Sequence, residues 1–596
     1  MGFRFDGQIV GYFLILPFLT ASFMGFYGKI GIAKKIRKVL QVVFIISATL
    51  IYIVTINYYR EYNDQFNHFV FLILYDDQKA VLNTVLENFH PVINLLAFIS
   101  IIGVSYFILR YFENKSAISN ILLRIKKPAF RTVLMVAIVT LLVSILRGSF
   151  SNLPVRRYYA ATTKDPFLNK TTINPFRSLN YAIADFKEKN STSGDNPFIP
   201  FDKLNPTGSQ TISALLKKKS PGASIEKPKQ IFIVVMESLD SWPLMDKYSS
   251  LNLTPNVKSI QDNGIRFENF LPASNATMNS FAAITTGVPY SGVNVGITGA
   301  INPPFKTSIY NQFKTLGYQT NFFYGGYLSW QNIENFSKNQ GAENVYGGPN
   351  TNRPCGFWGT NDINLFDFVT ETVGADTYSL NVILTTSYHQ PYEVDVKKEG
   401  FPYKTLDAFK SISGNIFENT MTLDELGHLW YSDKAIGHFI KTAEQLYPNA
   451  LFVFTGDHFG RRFINARPNL YEKSSVPLII YGSNIEPSKN FTPGSHIDIL
   501  PTIIDLVAPK DFEYYSFGNS LLTEDDRDQL GIGFNTVISK TDVQYFSESG
   551  SIEEFDFDTQ LTKTAKTSAY SKARNNLLAL AWQMAVKGDT LQKPTQ

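Results

Sequence analysis

ALFVFTGDHFG (450–460) is an apolar run of strand length that ends, after one glycine, in an adjacent acid and imidazole, Asp457-His458. Its β-branched and aromatic residues predict a fully buried strand rather than one face of a helix. Four other runs read the same way: IFIVVM (231–236), YQTNFFY (318–324), SLNVILTTS (379–387) and VPLIIYG (476–482). Helical patterns lie between them at 278–286, 305–316, 331–340, 362–373 and 424–446, with another at 498–507. Continuous apolar strands alternating with helices predict an α/β domain, a mostly parallel sheet with helices on both faces. In such folds ligands gather at the carboxyl ends of the strands, and the chemistry-bearing residues of this chain fall on that edge.

Glu237 follows IFIVVM directly, and Asp457-His458 close the strand at 450–456. Two ionised acids and a neutral imidazole brought to one rim make a divalent-metal site. Taken singly, a strand-end Glu is usually solvated and an Asp-His pair is often a turn. Thr277, in LPASNATMNSFAAITTGVPYSG, stands at the start of a predicted short helix. There it reads either as an ordinary capping residue or as a nucleophile that a metal and the helix N-terminus would activate. His389, in TTSYHQPY, follows a further strand; it reads as a structural loop histidine or as a group that protonates a leaving oxygen.

Outward from this domain the composition changes. The first 150 residues carry apolar stretches at about 8–27, 39–58, 91–109 and 130–147, near the length of a bilayer span. The loop after the first holds Lys29, Lys34, Lys35, Arg37 and Lys38 without an acid. The loop after the third holds Arg110, Lys115, Arg124, Lys126, Lys127 and Arg131 against Glu113. Positive loops stay cytoplasmic, which predicts a multi-pass membrane domain (1–150) with 28–38 and 110–131 inside. Everything after the fourth span then lies outside, and so does the N-terminus unless a further helix precedes it. Residues 151–228, rich in Pro, Asn, Thr and Gly, read as an extracytoplasmic linker with one helix near 177–189. Residues 229–510 read as the catalytic domain, and 511–596 as a C-terminal extension packing on it. A net charge of +4 over 596 residues, with no basic stripe interleaved with aromatics, excludes nucleic acid as a partner. Cys355 is the single cysteine, so no intrachain disulfide forms.

The motifs IFIVVMESLDSW, SNATMNSFAAITTGVP, FWGTNDINLFDF, LTTSYHQPYEV, FTGDHFG and GSHIDILPTIIDL stand in the order and spacing of sulfatase-like membrane enzymes. Together they resemble the lipoteichoic acid synthases and their phosphoglycerol transferase relatives, in the alkaline phosphatase superfamily. FRFDGQIVGYFLILPF and YDDQKAVLNTV resemble that family's membrane region, so the likeness runs along nearly the whole chain. The resemblance implies a metal set of Glu237, Thr277, Asp457 and His458 holding one divalent ion, Mn²⁺ or Zn²⁺ with Mg²⁺ possible. It also implies Thr277 as nucleophile, His389 facing the substrate, and Trp358 and Asp362 as structural or near the site.

Two departures narrow the chemistry. The Cys/Ser-x-Pro-x-Arg signature of true sulfatases is replaced by Asn275-Ala276-Thr277-Met278-Asn279, which argues against sulfate esters. Where the synthases have a His-Gly followed by a Trp and an Arg, this chain has Tyr324-Gly325, Trp330 and Asn332. Trp330 keeps one wall of the pocket, and Arg461 or Arg462 is the candidate for the phosphate charge. The resulting expectation is a transferase in a bacterial plasma membrane, facing the extracytoplasmic or periplasmic side. It moves a phospholipid head group of phosphoglycerol type through phosphothreonine to an envelope glycan or lipid acceptor. Phosphoethanolamine transfer, hydrolysis of a phosphodiester or phosphate ester by water, and an inactive envelope scaffold are the alternatives.

Overall fold

The computed structural model describes residues 2–591 apart from 28, 63–64, 68–69, 72–81, 83–84, 87–88, 115–127, 149–154, 156–159, 161–165, 190–194, 201–208, 297–302, 414–420, 461, 466, 523–528, 548–549 and 566. Two compact units divide the chain. One comprises Met1–Phe71, Leu82–Asp185 and Glu548–Ser551; the other comprises Leu72–Val81, Phe186–Ser547 and Ile552–Gln596.

In the first unit each of the four apolar stretches is helical, as Gly2–Phe26, Ile30–Tyr62, Pro91–Asn114 and Pro128–Arg147. Among the described residues two stretches, Gly31–Arg60 and Pro91–Phe112, are long and apolar enough to cross a bilayer; Val136–Arg147 is a shorter apolar segment. Their large side chains face outward, Val92, Phe107 and Phe112 among them, which suits a lipid solvent rather than water. The first helix begins with polar residues. These are tied to the end of the fourth, where Arg4 donates to Gly148 O at 2.6 Å and Gln8 to Leu146 O at 3.1 Å. A Cβ on Gly11 would lie 3.2 Å from Ile145 and Leu146, so small residues let these two helices approach closely. Part of the segment read as linker is helical as well, as Pro166–Thr172 and Pro175–Lys189.

The second unit is built on a sheet of eight described strands: β1 (Gln230–Met236), β2 (Ile265–Phe267), β3 (Gln319–Tyr324), β4 (Asn344–Tyr346), β5 (Ser379–Leu384), β6 (Leu451–Gly456), β7 (Leu478–Tyr481) and β8 (Ser488–Asn490). Their spatial order is β8-β2-β7-β6-β1-β5-β3-β4. All pairings are parallel except those of β7, which runs against β6 and β2. The antiparallel strand has a local cause. Only the five-residue helix Leu470–Ser474 separates it from β6, too little for a crossover back to the starting edge.

Alternate residues of β1 enter opposite layers, as the two-residue period requires. Ile231, Ile233 and Val235 meet the helices Thr277–Thr286 and Ile499–Val507 through Phe281, Ile284 and Ile503, together with Trp582 of Ser571–Lys587. Phe232, Val234 and Met236 face Phe366, Phe439 and Val257, from the helices Asp362–Thr372, Leu423–Leu446 and Pro255–Asp262. Burial on both faces explains why β1, β5 and β6 read as unbroken apolar runs. A five-stranded antiparallel sheet, Gly531–Ile532 to Thr562–Ala565, precedes the last helix.

Candidate metal and nucleophile centre

Strand β1 delivers Glu237 to the carboxyl edge. Its N–H donates to Thr385 Oγ1 at 3.0 Å, so a side chain extends the β1–β5 ladder one step past its backbone. Ser238 takes a left-handed φ of 51° and turns the chain away. Its N–H donates to Asp457 Oδ1 at 2.7 Å and its hydroxyl to Glu237 Oε1 at 2.8 Å. Asp457, one residue past β6, donates its N–H to Met236 O at 3.0 Å, and its Oδ1 also accepts His458 N–H at 2.7 Å. Gly456 makes this approach possible: a Cβ there would lie 2.0 Å from Leu239 O.

Glu237, Asp457 and His458 are all buried, and their ligand atoms lie within 4.8 Å of one another. His458 Nδ1 lies 2.9 Å from Phe459 O. Donation to that carbonyl places the lone pair on Nε2, which sits 3.4 Å from Asp457 Oδ2 and 3.9 Å from Glu237 Oε1. Asp457 Oδ2 is buried and accepts no hydrogen bond. Two buried carboxylates around an imidazole lone pair, one of their oxygens unpaired, call for a cation in their midst. A single divalent ion fits this donor set of oxygens and one nitrogen, and the ligand types alone do not choose among the divalent metals.

Thr277 Oγ1 lies 3.4 Å from His458 Nε2 and 3.5 Å from Glu237 Oε2. The capping role open to Thr277 in the sequence is not the one it takes. Ala276 holds the N-cap without a side-chain bond, and Thr277 is the first helical residue. The other hydroxyls of this segment have internal duties: Ser280 donates to Ser274 O at 3.0 Å, Thr285 to Phe281 O at 2.8 Å and Thr286 to Ala282 O at 2.6 Å.

His389 leaves the same edge from β5. The reading of a strand to 387 overshoots, because Asp362 Oδ1 accepts the N–H groups of Thr386 and Ser387, each at 3.0 Å, and pulls the chain off the ladder. His389 Nδ1 lies 2.5 Å from Gln390 O, which also accepts Trp358 Nε1–H at 2.6 Å, and the two rings sit 4.1 Å apart. Trp358 and Asp362 thus brace the His389 loop. Trp330 follows β3, its ring 5.8 Å from that of Tyr324. Arg461 lies outside the described residues. Arg462 pairs with the buried Glu425 at 2.6 Å, so its charge is already matched within the fold.

Two groups escaped the sequence reading. His496 lies in GSHIDILPTIIDL and is fully buried; its Nδ1 accepts Ala273 N–H at 3.2 Å, while Nε2 lies 2.9 Å from Gly456 O. It ties the Thr277 loop to the end of β6, and burial lowers its pKa to about 3, so it works as a neutral ring. Asp240 accepts Gly460 N–H at 2.6 Å and Trp242 Nε1–H at 3.1 Å, joining the turns after Glu237 and His458; burial pushes its carboxyl well up. Each acts on backbone more than 200 positions away in sequence, and only the quoted motifs around them carried a signal.

With this geometry in place, comparison with known proteins is informative. Residues 229–508 match the Sulfatase family. Lipoteichoic acid synthase 1 of Bacillus subtilis (strain 168) is 22% identical over 423 residues, covering 63% of this chain and 62% of that protein. Lipoteichoic acid synthase-like YvgJ of the same organism is 22% identical over 360 residues, 55% of each chain. The chain therefore spans about three fifths of the length of the first relative, 62%. Among solved structures, a protein in the alkaline phosphatase superfamily from Vibrio parahaemolyticus superposes with a TM-score of 0.52 at 22% identity, covering 68% of this chain and 95% of that one. The lipoteichoic acid synthase LtaP from Listeria monocytogenes gives 0.50 at 16% identity, covering 66% and 100%. The sheet and its helices are thus the sulfatase and alkaline phosphatase fold.

Proposed function

We propose, from the premise that this chain is a lipoteichoic acid synthase-like protein of the sulfatase fold, that it is a membrane-bound phosphotransferase with Thr277 as nucleophile. The donor is a membrane phospholipid, the group moved is of phosphoglycerol type, and the acceptor is an envelope glycan or lipid. The observation that carries this reading is the uncapped Thr277 hydroxyl within 3.5 Å of two members of a buried Glu-Asp-His cluster. A divalent ion held by Glu237, Asp457 and His458, with Thr277 beside it, would supply Lewis acidity and lower the pKa of the hydroxyl.

The residues then divide the work. Thr277 Oγ1 attacks phosphorus in line, losing its proton to solvent; the Oγ1–P bond forms as the bond to the lipid alcohol breaks. His389, aligned by Trp358 and Gln390, gives a proton to the departing oxygen. An acceptor hydroxyl next displaces Thr277 from the phosphodiester, passing its proton to His389, and Thr277 regains a proton from solvent. Asp240 and His496 hold the loops that bring these groups together.

Mass spectrometry of Thr277, after incubating the full chain with phosphatidylglycerol and phosphatidylethanolamine in turn, tests the proposal. An adduct of the head-group phosphate on Thr277 is expected, and its mass names the group. Lipid consumption with Thr277 unmodified under acid quench would overturn the covalent route and leave water as the attacking group.

A further inference from the structure

Between Ser274 and Asn294, seven buried side-chain atoms make no hydrogen bond among the described residues. They are Ser274 Oγ, Asn275 Oδ1, both amide atoms of Asn279, Ser291 Oγ and both amide atoms of Asn294. Asn279 is 3% exposed and Ser291 0%. Folded proteins pair nearly all such groups, because a buried polar atom that has lost water and gained nothing is penalised. The concentration is local to the nucleophile. Asn279 is in the first turn of the helix that Thr277 opens, and its N-cap, Ala276, offers no side-chain acceptor. The loop bearing Asn294 folds back over that turn: a Cβ on Gly296 would lie 2.4 Å from Met278 Cε and 2.9 Å from Asn294 Oδ1.

The chemistry of the open atoms selects their partner. In both Asn279 and Asn294 the N–H donors and the carbonyl acceptor are unpaired, so the argument does not depend on which way either amide is turned. A phosphate oxygen only accepts and satisfies the NH₂ end alone. An ammonium only donates and satisfies the oxygen alone. A hydroxyl does both. Two such amides flanked by serine hydroxyls form a neutral cup suited to several hydroxyls at once, not to a charge.

We propose that Asn279 and Asn294 are specificity-determining residues, forming a subsite that recognises the hydroxyls of a polyol attached to the transferred phosphate. They take on recognition that the absent His and Arg after β3 do not provide. The inference rests on the phosphotransferase reading, and the experiment separates the two. The full chain in detergent is titrated calorimetrically with glycerol 1-phosphate and with propyl phosphate, which share the phosphate and differ in the hydroxyls. Turnover of phosphatidylglycerol and of phosphatidylethanolamine is measured alongside. The wild-type chain binds glycerol 1-phosphate about tenfold or more tightly than propyl phosphate, a size set by lost hydroxyl hydrogen bonds. Asn279→Ala and Asn294→Ala each erase that preference and lower kcat/KM for phosphatidylglycerol about tenfold, leaving phosphatidylethanolamine within about twofold.

Equal wild-type affinity for the two phosphates overturns the proposal and means that only ordered water fills the cup; this arm needs no variant to fold. A parallel loss on both lipids in the variants overturns it in favour of a structural role. Absence of all turnover with the glycerol preference intact refutes the phosphotransferase reading instead and leaves the subsite standing.

Discussion

Thr277 is open to substitution without structural penalty because it neither caps its helix nor bonds a backbone carbonyl in the way that Thr285 and Thr286 do. Thr277→Ala is therefore expected to keep the fold, with stability changed by less than about 1 kcal/mol. It should lower turnover of a phosphodiester on the order of 10³-fold or more, while Thr277→Ser retains part of it. Full activity in Thr277→Ala together with loss in Ser280→Ala would show that another hydroxyl attacks. Asp457→Asn separates the two jobs of that carboxylate. An amide oxygen still accepts from Ser238 and His458, so the turn survives, but the unpaired anionic oxygen is gone. Affinity for Mn²⁺ or Zn²⁺, read by calorimetry, should fall by more than the roughly 10–100-fold that outer partners of a metal produce; unchanged affinity would place the metal elsewhere. The sequence announced these residues because each ends an apolar strand or opens a helix. It did not announce Asp240 or His496, whose partners are backbone atoms of Gly460, Ala273 and Gly456 on other elements.

Among the elements, the long buried strands β1, β3, β5, β6 and β7 were readable because six or so apolar β-branched or aromatic residues leave no alternative. The strands Ile265–Phe267, Asn344–Tyr346 and Ser488–Asn490 were not, since three residues show no period and their pairing comes entirely from neighbours. One helix–helix joint carries a pH dependence that no local pattern shows. Asp433, within Leu423–Leu446, accepts Val257 N–H at 2.8 Å and both Asn256 N–H at 3.1 Å and Asn256 Nδ2–H at 2.8 Å, at the start of Pro255–Asp262. Burial outweighs these bonds and raises its pKa from 3.8 to about 6. A raised carboxyl stabilises the folded state fully below the unfolded value and loses that contribution as pH climbs through the folded one. Between about pH 4 and 6 its share of stability therefore falls as pH rises, by at most about 1.4 kcal/mol per unit. Asp433→Asn, compared with wild type by thermal unfolding at pH 4.5, 5.5 and 6.5, should flatten that slope while lowering stability overall; an unaltered slope would mean the ionised form is not penalised.

For the whole molecule the open quantity is which side of the membrane receives residues 230–596, and the basic loops turn it into a question about one helix. Lys29, Lys34, Lys35, Arg37 and Lys38 hold the start of Ile30–Tyr62 inside, and the cluster from Arg110 to Arg131 holds the end of Pro91–Asn114 inside. The two stretches that are long and apolar enough to cross, Gly31–Arg60 and Pro91–Phe112, thus form an out-and-back pair that returns the chain to the cytoplasm. Only a crossing by Pro128–Arg147 then exports residues 230–596. Its 20 residues, at 1.5 Å each, reach about 30 Å, just the thickness of the hydrocarbon core. A lipid-dependent transferase of envelope polymers needs its centre on the outer face, so the functional reading requires that crossing. A pair of alkaline phosphatase fusions decides it, since the reporter is active only outside. The fusion after residue 120 should be inactive and the fusion after residue 160 active. Activity at neither site would leave Pro128–Arg147 lying on the inner face and the catalytic unit in the cytoplasm, which would remove envelope polymers as acceptors and leave a cytoplasmic phosphodiester as the substrate for Thr277.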